Sequence, residues 1–251
     1  MTTTNRADGR ANDELRRIEF QPGFTTNPNG SVLVRFGSTM VLCTCMIEEG
    51  IPRFRPDESG WMTAEYAMSP GSTHDRMRRE RRGAKGRTRE IERMIGRSLR
   101  ACITLPALGD HTAHVDCEVL QADGGTRTAS VTGGFVALAL ACHDLLESGA
   151  IKESPLKGSV AAVSAGIIDG EARLDLPYEE DSRADVDLNL VLFKTNEMVE
   201  VQATGEDGTM SDEELSTLIS LGRTGIRELR SMQRDTIGHE EWSQLGLEEV
   251  E

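Results

Sequence analysis

Apolar positions along the chain fall into short runs and helical stripes, separated by clusters of Gly, Pro and Asp. Their spacing predicts strands interrupted by three long helices. Residues 30–47 form an apolar run broken at Gly37-Ser38, which reads as two strands around a turn. Residues 50–60 carry Pro52, Pro56 and Gly60, a loop, and residues 61–68 read as a further extended segment. Ile91, Met94, Ile95, Leu99 and Cys102 make one stripe, predicting a helix over 88–103 with its arginines largely off that stripe. Residues 113–119 alternate apolar and polar, as a half-buried strand does. Residues 128–148 are apolar on most sides, which predicts a central buried helix capped by Gly149.

A hairpin is expected over 158–176 around Asp169-Gly170. Residues 185–193 alternate strictly, with Val186, Leu188, Leu190 and Leu192 on one face and Asp185, Asp187 and Asn189 on the other. Residues 198–203 form the next strand. Ser211 and Glu214 form a capping box that opens a helix to about residue 233. Residues 1–14 are polar and read as mobile, and residues 238–251 read as a frayed acidic tail. Strands and helices do not alternate regularly, which argues against a doubly wound parallel sheet. The pattern fits an α+β fold of two similar halves, 1–150 and 151–237, each opening on Gly-Ser-Val (at Gly30 and Gly158) and closing on a long helix.

Composition narrows the class. With 37% apolar and 28% charged residues in 251, the chain is neither collagen-like, nor coiled coil alone, nor wholly disordered. No apolar run approaches the roughly 20 residues of a membrane helix, and the first residues lack a signal-peptide core, so a cytoplasmic protein without a membrane partner is expected. The five cysteines, an odd number without a CxxC pair, read as small buried hydrophobes. Charge changes the picture more. The net charge is −14, yet residues 76–100 hold eleven basic and three acidic side chains, +8 in all, leaving −22 elsewhere. A basic island on an acidic body points to a polyanion site, and its dominance by Arg over Lys favours nucleic acid over a merely solvated face.

Three constellations could carry chemistry. Asp123-Gly-Gly-Thr-Arg-Thr128 leads from a strand into a helix, where free N–H groups, hydroxyls and the Arg127 charge suit an anion; a plain strand–helix turn is the alternative. Gly86-Arg-Thr88 repeats the motif at the earlier helix, so Arg87 could reach a second side of one phosphate or simply be exposed. Asp181, Asp185 and Asp187 cluster at a loop and strand; they suit Mg²⁺ beside a phosphate substrate, or a solvated acidic loop. His114, Asp116 and Glu118 share a strand face and fit a solvated face better than a metal set, and Ser69, Ser72 and Ser130 lack partners for nucleophilic catalysis.

Several motifs together resemble the ribonuclease PH family, over about residues 6–235. They are Asp8-Gly-Arg10, Asp13-Glu-Leu-Arg16, Glu48-Glu-Gly-Ile-Pro-Arg53, Gly86-Arg-Thr88, Ile95-Gly-Arg-Ser-Leu-Arg100, the long stretch from Asp116 to Ser130, and Glu180-Asp-Ser182 with Asp185-Val-Asp187. The resemblance implies a duplicated fold like the second domain of ribosomal protein S5. It implies a phosphate-dependent 3′→5′ exoribonuclease that trims tRNA precursors and releases nucleoside diphosphates, assembled as a hexamer, a trimer of dimers. Inorganic phosphate is the implied co-substrate and Mg²⁺ the implied cofactor. On matching positions, Arg87, Gly125, Thr126 and Arg127 would bind phosphate, Asp181 and Asp187 would serve metal and catalysis, and Arg76 and Arg79 would contact tRNA. Gly71 stands where the family carries a further RNA-contacting Arg, and Arg78, Arg81 and Arg82 offer charge in its place. Two other readings remain: a catalytically silent RNA-binding ring subunit, and a hydrolytic nuclease.

Overall fold

The computed structural model describes residues 6–54, 59–80, 83–194, 196–206 and 208–248. The apolar runs of the first half become β1 (Ile18–Pro22), β2 (Gly30–Phe36), β3 (Thr39–Glu49), β4 (Trp61–Met68) and β5 (His111–Gln121). They form one sheet in the order β1-β2-β3-β5-β4. Every pair is antiparallel except β4–β5, whose parallel crossover is made by α1 (Gly86–Ala101). In the second half β6 (Val160–Ile168), β7 (Glu171–Leu174), β8 (Val186–Phe193) and β9 (Glu197–Gly205) make an antiparallel sheet ordered β7-β6-β8-β9. Asp169 and Gly170 both have positive φ, 55° and 78°, the two left-handed residues that the tight β6–β7 turn requires.

Helix α2 (Thr126–Glu147) lies between the sheets and packs on β2, β3 and β5 to one side and β6 and β8 to the other. Two adjacent glycines permit this. A Cβ on Gly133 would stand 2.7 Å from Val34 and 2.9 Å from Cys43, while Gly134 faces Leu99 and Val115. By length and composition α2 could cross a membrane, contrary to the expectation that no run approaches that length; 78% of its most apolar window is buried within the fold. All five cysteines are buried, as expected. Helix α4 (Asp212–Ile237) starts at the expected capping box, where Ser211 Oγ accepts from Glu214 N and the Glu214 carboxylate accepts from Ser211 N. It covers β6, β7 and β8.

The structure also departs from the sequence reading elsewhere. Asp185 lies outside β8, and the face carrying Asn189 and Val191 is buried too, because α2 packs against the sheet as well as α4. On that face of β8 only Asp187 and Phe193 keep partial exposure. The described part of the polar N-terminus is not loose: Arg6, Arg10 and Arg16 are buried against Asp175 and Glu180. A pattern of apolar positions cannot register a segment held by charge. The residues after Gly238 form α5 (His239–Gln244), with Trp242, Leu245 and Leu247 buried and Trp242 edge-on to Phe135, ring centroids 6.2 Å apart. Their three apolar side chains decide against the surrounding glutamates. Trp242→Ala is expected to cost about 3–5 kcal/mol of stability by urea unfolding; a loss below about 1 kcal/mol would mean that this segment does not pack on α2.

Candidate active site

The candidate phosphate turn sits where β5 ends and α2 begins. Gly124 and Gly125 both adopt positive φ, 73° and 65°. Any side chain on Gly124 would collide with the backbone of Leu176 and Tyr178, so the turn and the segment before the acids touch main chain to main chain. From the other side Thr39 Oγ1 donates to Gly124 O at 2.7 Å and accepts from Asp123 N at 2.9 Å. The turn is therefore held while the first N–H groups of α2 point outward, the arrangement that favours an anion.

Arg127 lies in the first turn of α2. Its Nη1 donates to Gln202 Oε1 at 2.7 Å and stands 3.5 Å from Glu90 Oε1. Gln202 in turn donates to Glu90, joining β9 to α1. Among the described residues these contacts occupy only one nitrogen of the guanidinium. Arg87, in the first turn of α1, is exposed. Both arginines act electrostatically on Asp181 and on Tyr66, so they converge on one place. Tyr66 is buried beneath them and shares a 2.9 Å hydrogen bond with Thr126 Oγ1. Burial pushes its hydroxyl up, against the pull of Thr126, Arg87 and Arg127.

The carboxylates come from the second half. Asp181 ends the short helix α3 (Tyr178–Asp181) and Asp187 lies one residue into β8. Burial raises the Asp181 carboxyl above its ordinary value, although Arg127, Arg87 and Arg16 pull it down. Asp187 is pushed up to about 6 by burial and then by Asp181, with Glu206 adding to the effect. Asn189 donates to Asp187 Oδ2 at 3.2 Å, whereas Oδ1 is buried with no hydrogen-bond partner among the described residues. An orphaned carboxylate oxygen beside a second raised carboxyl fits a divalent cation. No described cluster offers three or more His, Cys, Asp or Glu ligands, so Asp181 and Asp187 could hold an ion only as a two-carboxylate pair, a set that Mg²⁺ accepts when water and phosphate oxygens complete it. Asp185 is exposed outside this pair, and His114 faces Glu48 at 3.5 Å instead of forming a metal set.

Beneath the site, Asp175 is fully buried and accepts from Arg16 N and Nε at 2.8 and 3.0 Å. Burial would raise its carboxyl, but Arg16 holds it below the ordinary value of 3.8. The sign follows: this pair stabilises the fold in full above that ordinary value and loses its contribution as pH falls through the lower folded value. Acid unfolding is expected to steepen below about pH 4, and Asp175→Asn should flatten that limb.

Residues 71–80 carry no regular structure, as expected of the basic loop, but its root is fixed. Met77 N donates to Pro70 O at 2.9 Å, and Ala122 N, next to the phosphate turn, donates to Ser72 O at 2.8 Å. Arg76, Arg78 and Arg79 are exposed on it; Arg81 and Arg82 lie outside the described residues. The structure thus gathers Arg87, Gly125, Thr126, Arg127, Asp181 and Asp187, and roots the loop that carries Arg76, Arg78 and Arg79 beside the turn. Sequence reasoning missed Arg16, Tyr66, Glu90, Asp175, Gln202 and Glu206. Only Arg16 had a signal, the Asp13-Glu-Leu-Arg16 motif; the others are ordinary strand and helix positions until the fold brings them together.

Comparison with known proteins shows the family. Residues 14–143 match the model of the 3′ exoribonuclease family, domain 1, and residues 158–225 match its domain 2. Ribonuclease PH of Corynebacterium efficiens is 53% identical over 240 residues, 94% of this chain and 98% of that protein. The Corynebacterium diphtheriae enzyme is 54% identical over 237 residues, 93% of this chain and 98% of that protein. Among solved structures, rice Rrp46 superposes with a TM-score of 0.77 at 22% identity, covering 93% of this chain and all of that one. The Archaeoglobus fulgidus exosome with RNA bound to its active site gives 0.77 at 23% identity, covering 92% of this chain and 93% of that one. With both of its halves matched in order and relatives more than half identical along nearly its whole length, this chain belongs to the 3′ exoribonuclease family, as a ribonuclease PH.

Proposed function

We propose that the chain shortens RNA from its 3′ end by phosphorolysis, acting on tRNA precursors in the cytoplasm as a homohexamer, a trimer of dimers. The observation that carries the reaction is the convergence of Arg87 and Arg127 with two carboxyls of raised pKa at the start of α2. The hexamer and the tRNA preference rest on the family resemblance.

Free phosphate would sit on the N–H groups of α2, the Thr126 hydroxyl and the two guanidinium groups, which offset its repulsion from the RNA backbone. One phosphate oxygen attacks the phosphorus of the terminal phosphodiester and forms a P–O bond. The bond from phosphorus to the 3′-oxygen breaks, and that oxygen takes a proton. The products are RNA one nucleotide shorter and a nucleoside 5′-diphosphate. The attacking hydrogen phosphate supplies that proton, and an Asp of the pair can relay it. Asp181 and Asp187 would hold a divalent cation, which lends positive charge to the oxygens of the transferring phosphoryl group. Positioning and electrostatics supply most of such catalysis, so no covalent nucleophile is needed.

The test is an RNA with a 3′ extension, with and without inorganic phosphate. Release of nucleoside diphosphates only with phosphate supports the reading. Monophosphates without phosphate would make the protein a hydrolytic nuclease, and RNA binding without trimming a silent subunit. Silent relatives typically lose the acids or the phosphate arginines; Arg87, Arg127, Asp181 and Asp187 are all present here.

The loop arginines would hold the tRNA body while the 3′ end enters. Replacing Arg76, Arg78 and Arg79 together by Ala is expected to take about two to three units off the log–log salt slope of binding. It should weaken binding of a tRNA precursor far more than that of a short single strand. Equal losses for the two RNAs would place the tRNA contacts elsewhere. A Cβ on Gly71 would meet nothing within 4 Å, so Gly71→Arg has room to tighten tRNA binding in the same assay.

A further inference from the structure

We propose that Arg16 is a positioning residue that sets the spacing between the phosphate-binding turn and the acid-bearing segment; the proposal rests on the phosphorolytic reading above. Arg16 belongs to neither segment. It comes from the N-terminal stretch before β1, and its side chain is only 4% exposed. Its one planar fork touches both. Nη1 donates to Asp123 O, and Nη2 stands 3.4 Å from Gly124 O, the two carbonyls immediately before Gly125. Nη2 also donates to Asp175 Oδ1 at 2.8 Å, while Nε donates to Asp175 Oδ2 at 3.0 Å. The main-chain N of Arg16 donates to the same carboxylate at 2.8 Å.

Both ends of this bridge lead directly to reacting groups. Thr126 and Arg127 follow Asp123 and Gly124 at the start of α2. Asp175 opens the stretch that turns through Leu176 and Pro177 into α3 and Asp181. Asp175 itself sits at φ 52°, in the left-handed region, with its carboxylate aimed at Arg16. Around the bridge the two segments have little freedom to slide. Gly124 lies against the backbone of Leu176 and Tyr178, and Tyr178 N donates to Asp123 Oδ1 at 3.1 Å. A Cβ on Gly125 would come within 3.0 Å of Arg16 Nη2, so the guanidinium forms the floor of the turn.

The chemistry makes this spacing matter. The attacking phosphate is held from the turn, and the phosphodiester is received at the acids. Arg16 touches neither substrate, but it determines how far apart they stand. A misplacement of about 1 Å in such a geometry costs about a hundredfold in rate. Lysine can keep the charge beside Asp175 but cannot reach a carboxylate and two carbonyls in one plane.

The experiment measures kcat and KM for phosphate on a short RNA, per folded molecule, in the full-length protein. Arg16→Lys is expected to lower kcat about 30- to 100-fold while leaving KM for phosphate within about threefold. Asp175→Asn, which removes the charge and turns one of the two carboxylate acceptors of Arg16 into a donor, should show the same split. If one of the two does not fold, the other decides. Arg10→Ala is the control, because Arg10 meets Asp175 as well, Nη2 donating to its O at 3.1 Å and Nη1 standing 3.9 Å from its Oδ2, without touching the turn. It should lower the thermal midpoint and leave kcat within about twofold. A folded Arg16→Lys or Asp175→Asn protein with wild-type kcat would overturn the proposal. So would an Arg10→Ala protein that loses kcat to the same extent, since the effect would then belong to the buried network as a whole. A wild-type protein that releases no nucleoside diphosphate would instead overturn the phosphorolytic reading itself, so the two failures are distinguishable.

Discussion

Arg127→Ala is expected to leave the protein folded and RNA-binding while nearly abolishing phosphate-dependent trimming. Arg127 is only partly exposed, and its fixed partners, Gln202 and Glu90, engage one nitrogen and leave the rest of the fork open beside the α2 N-terminus. Loss of a charge-assisted contact to the transferring group in such a site should cost at least about 3 kcal/mol, roughly a hundredfold in rate. Gln202 and Glu90 still pair with each other after the substitution, so the β9–α1 junction should survive and the loss should lie in catalysis. The measurement is trimming rate against phosphate concentration, with RNA affinity and the unfolding midpoint as controls. A wild-type rate across the phosphate range would remove Arg127 from the site.

Asp187→Asn should separate metal-dependent turnover from binding. The substitution keeps the shape of the side chain and an acceptor for Asn189, which donates to Oδ2 in the native protein. It removes the charge at the buried Oδ1, which has no hydrogen-bond partner among the described residues. Neutralising one of two carboxylates should weaken divalent-ion binding and lower turnover by about a hundredfold or more. Phosphate and RNA affinities should change little, because Arg87, Arg127 and the loop arginines remain. The check is turnover titrated with Mg²⁺ in both proteins, alongside filter binding of RNA. An unchanged metal dependence would place the ion elsewhere, with the exposed Asp185 a remaining acid of that stretch.

Much of this site was legible before any coordinates. The glycine pair with Thr126 and Arg127 announces an anion turn because backbone N–H groups at a helix start, a hydroxyl and a guanidinium are adjacent in the chain. Asp181 and Asp187 stand close in sequence and arrive close in space because one short turn joins α3 to β8. Local chemistry of this kind is written in consecutive residues. The capping box at Ser211, the Asp169-Gly170 turn and the buried character of α2 were legible for the same reason.

What the residues alone could not determine is what crosses the chain. Tyr66 under Thr126, and Gln202 with Glu90 beside Arg127, meet only because β4, α1 and β9 converge on the start of α2. The N-terminal arginines look like solvated charge until Asp175 and Glu180, more than 150 residues away, bury them. A hydrophobic pattern measures the gain from excluding water, and it is blind to segments held by paired charges at long range. The raised Asp187 has the same origin: its ordinary sequence surroundings become a low-dielectric pocket only when α2 and the second sheet close around it. The sequence by itself determined the longer elements, the family and the candidate site residues, since these depend on neighbours in the chain. Only the tertiary structure decided the protonation behaviour and the bracing of those groups, because both depend on burial and on partners that folding alone supplies.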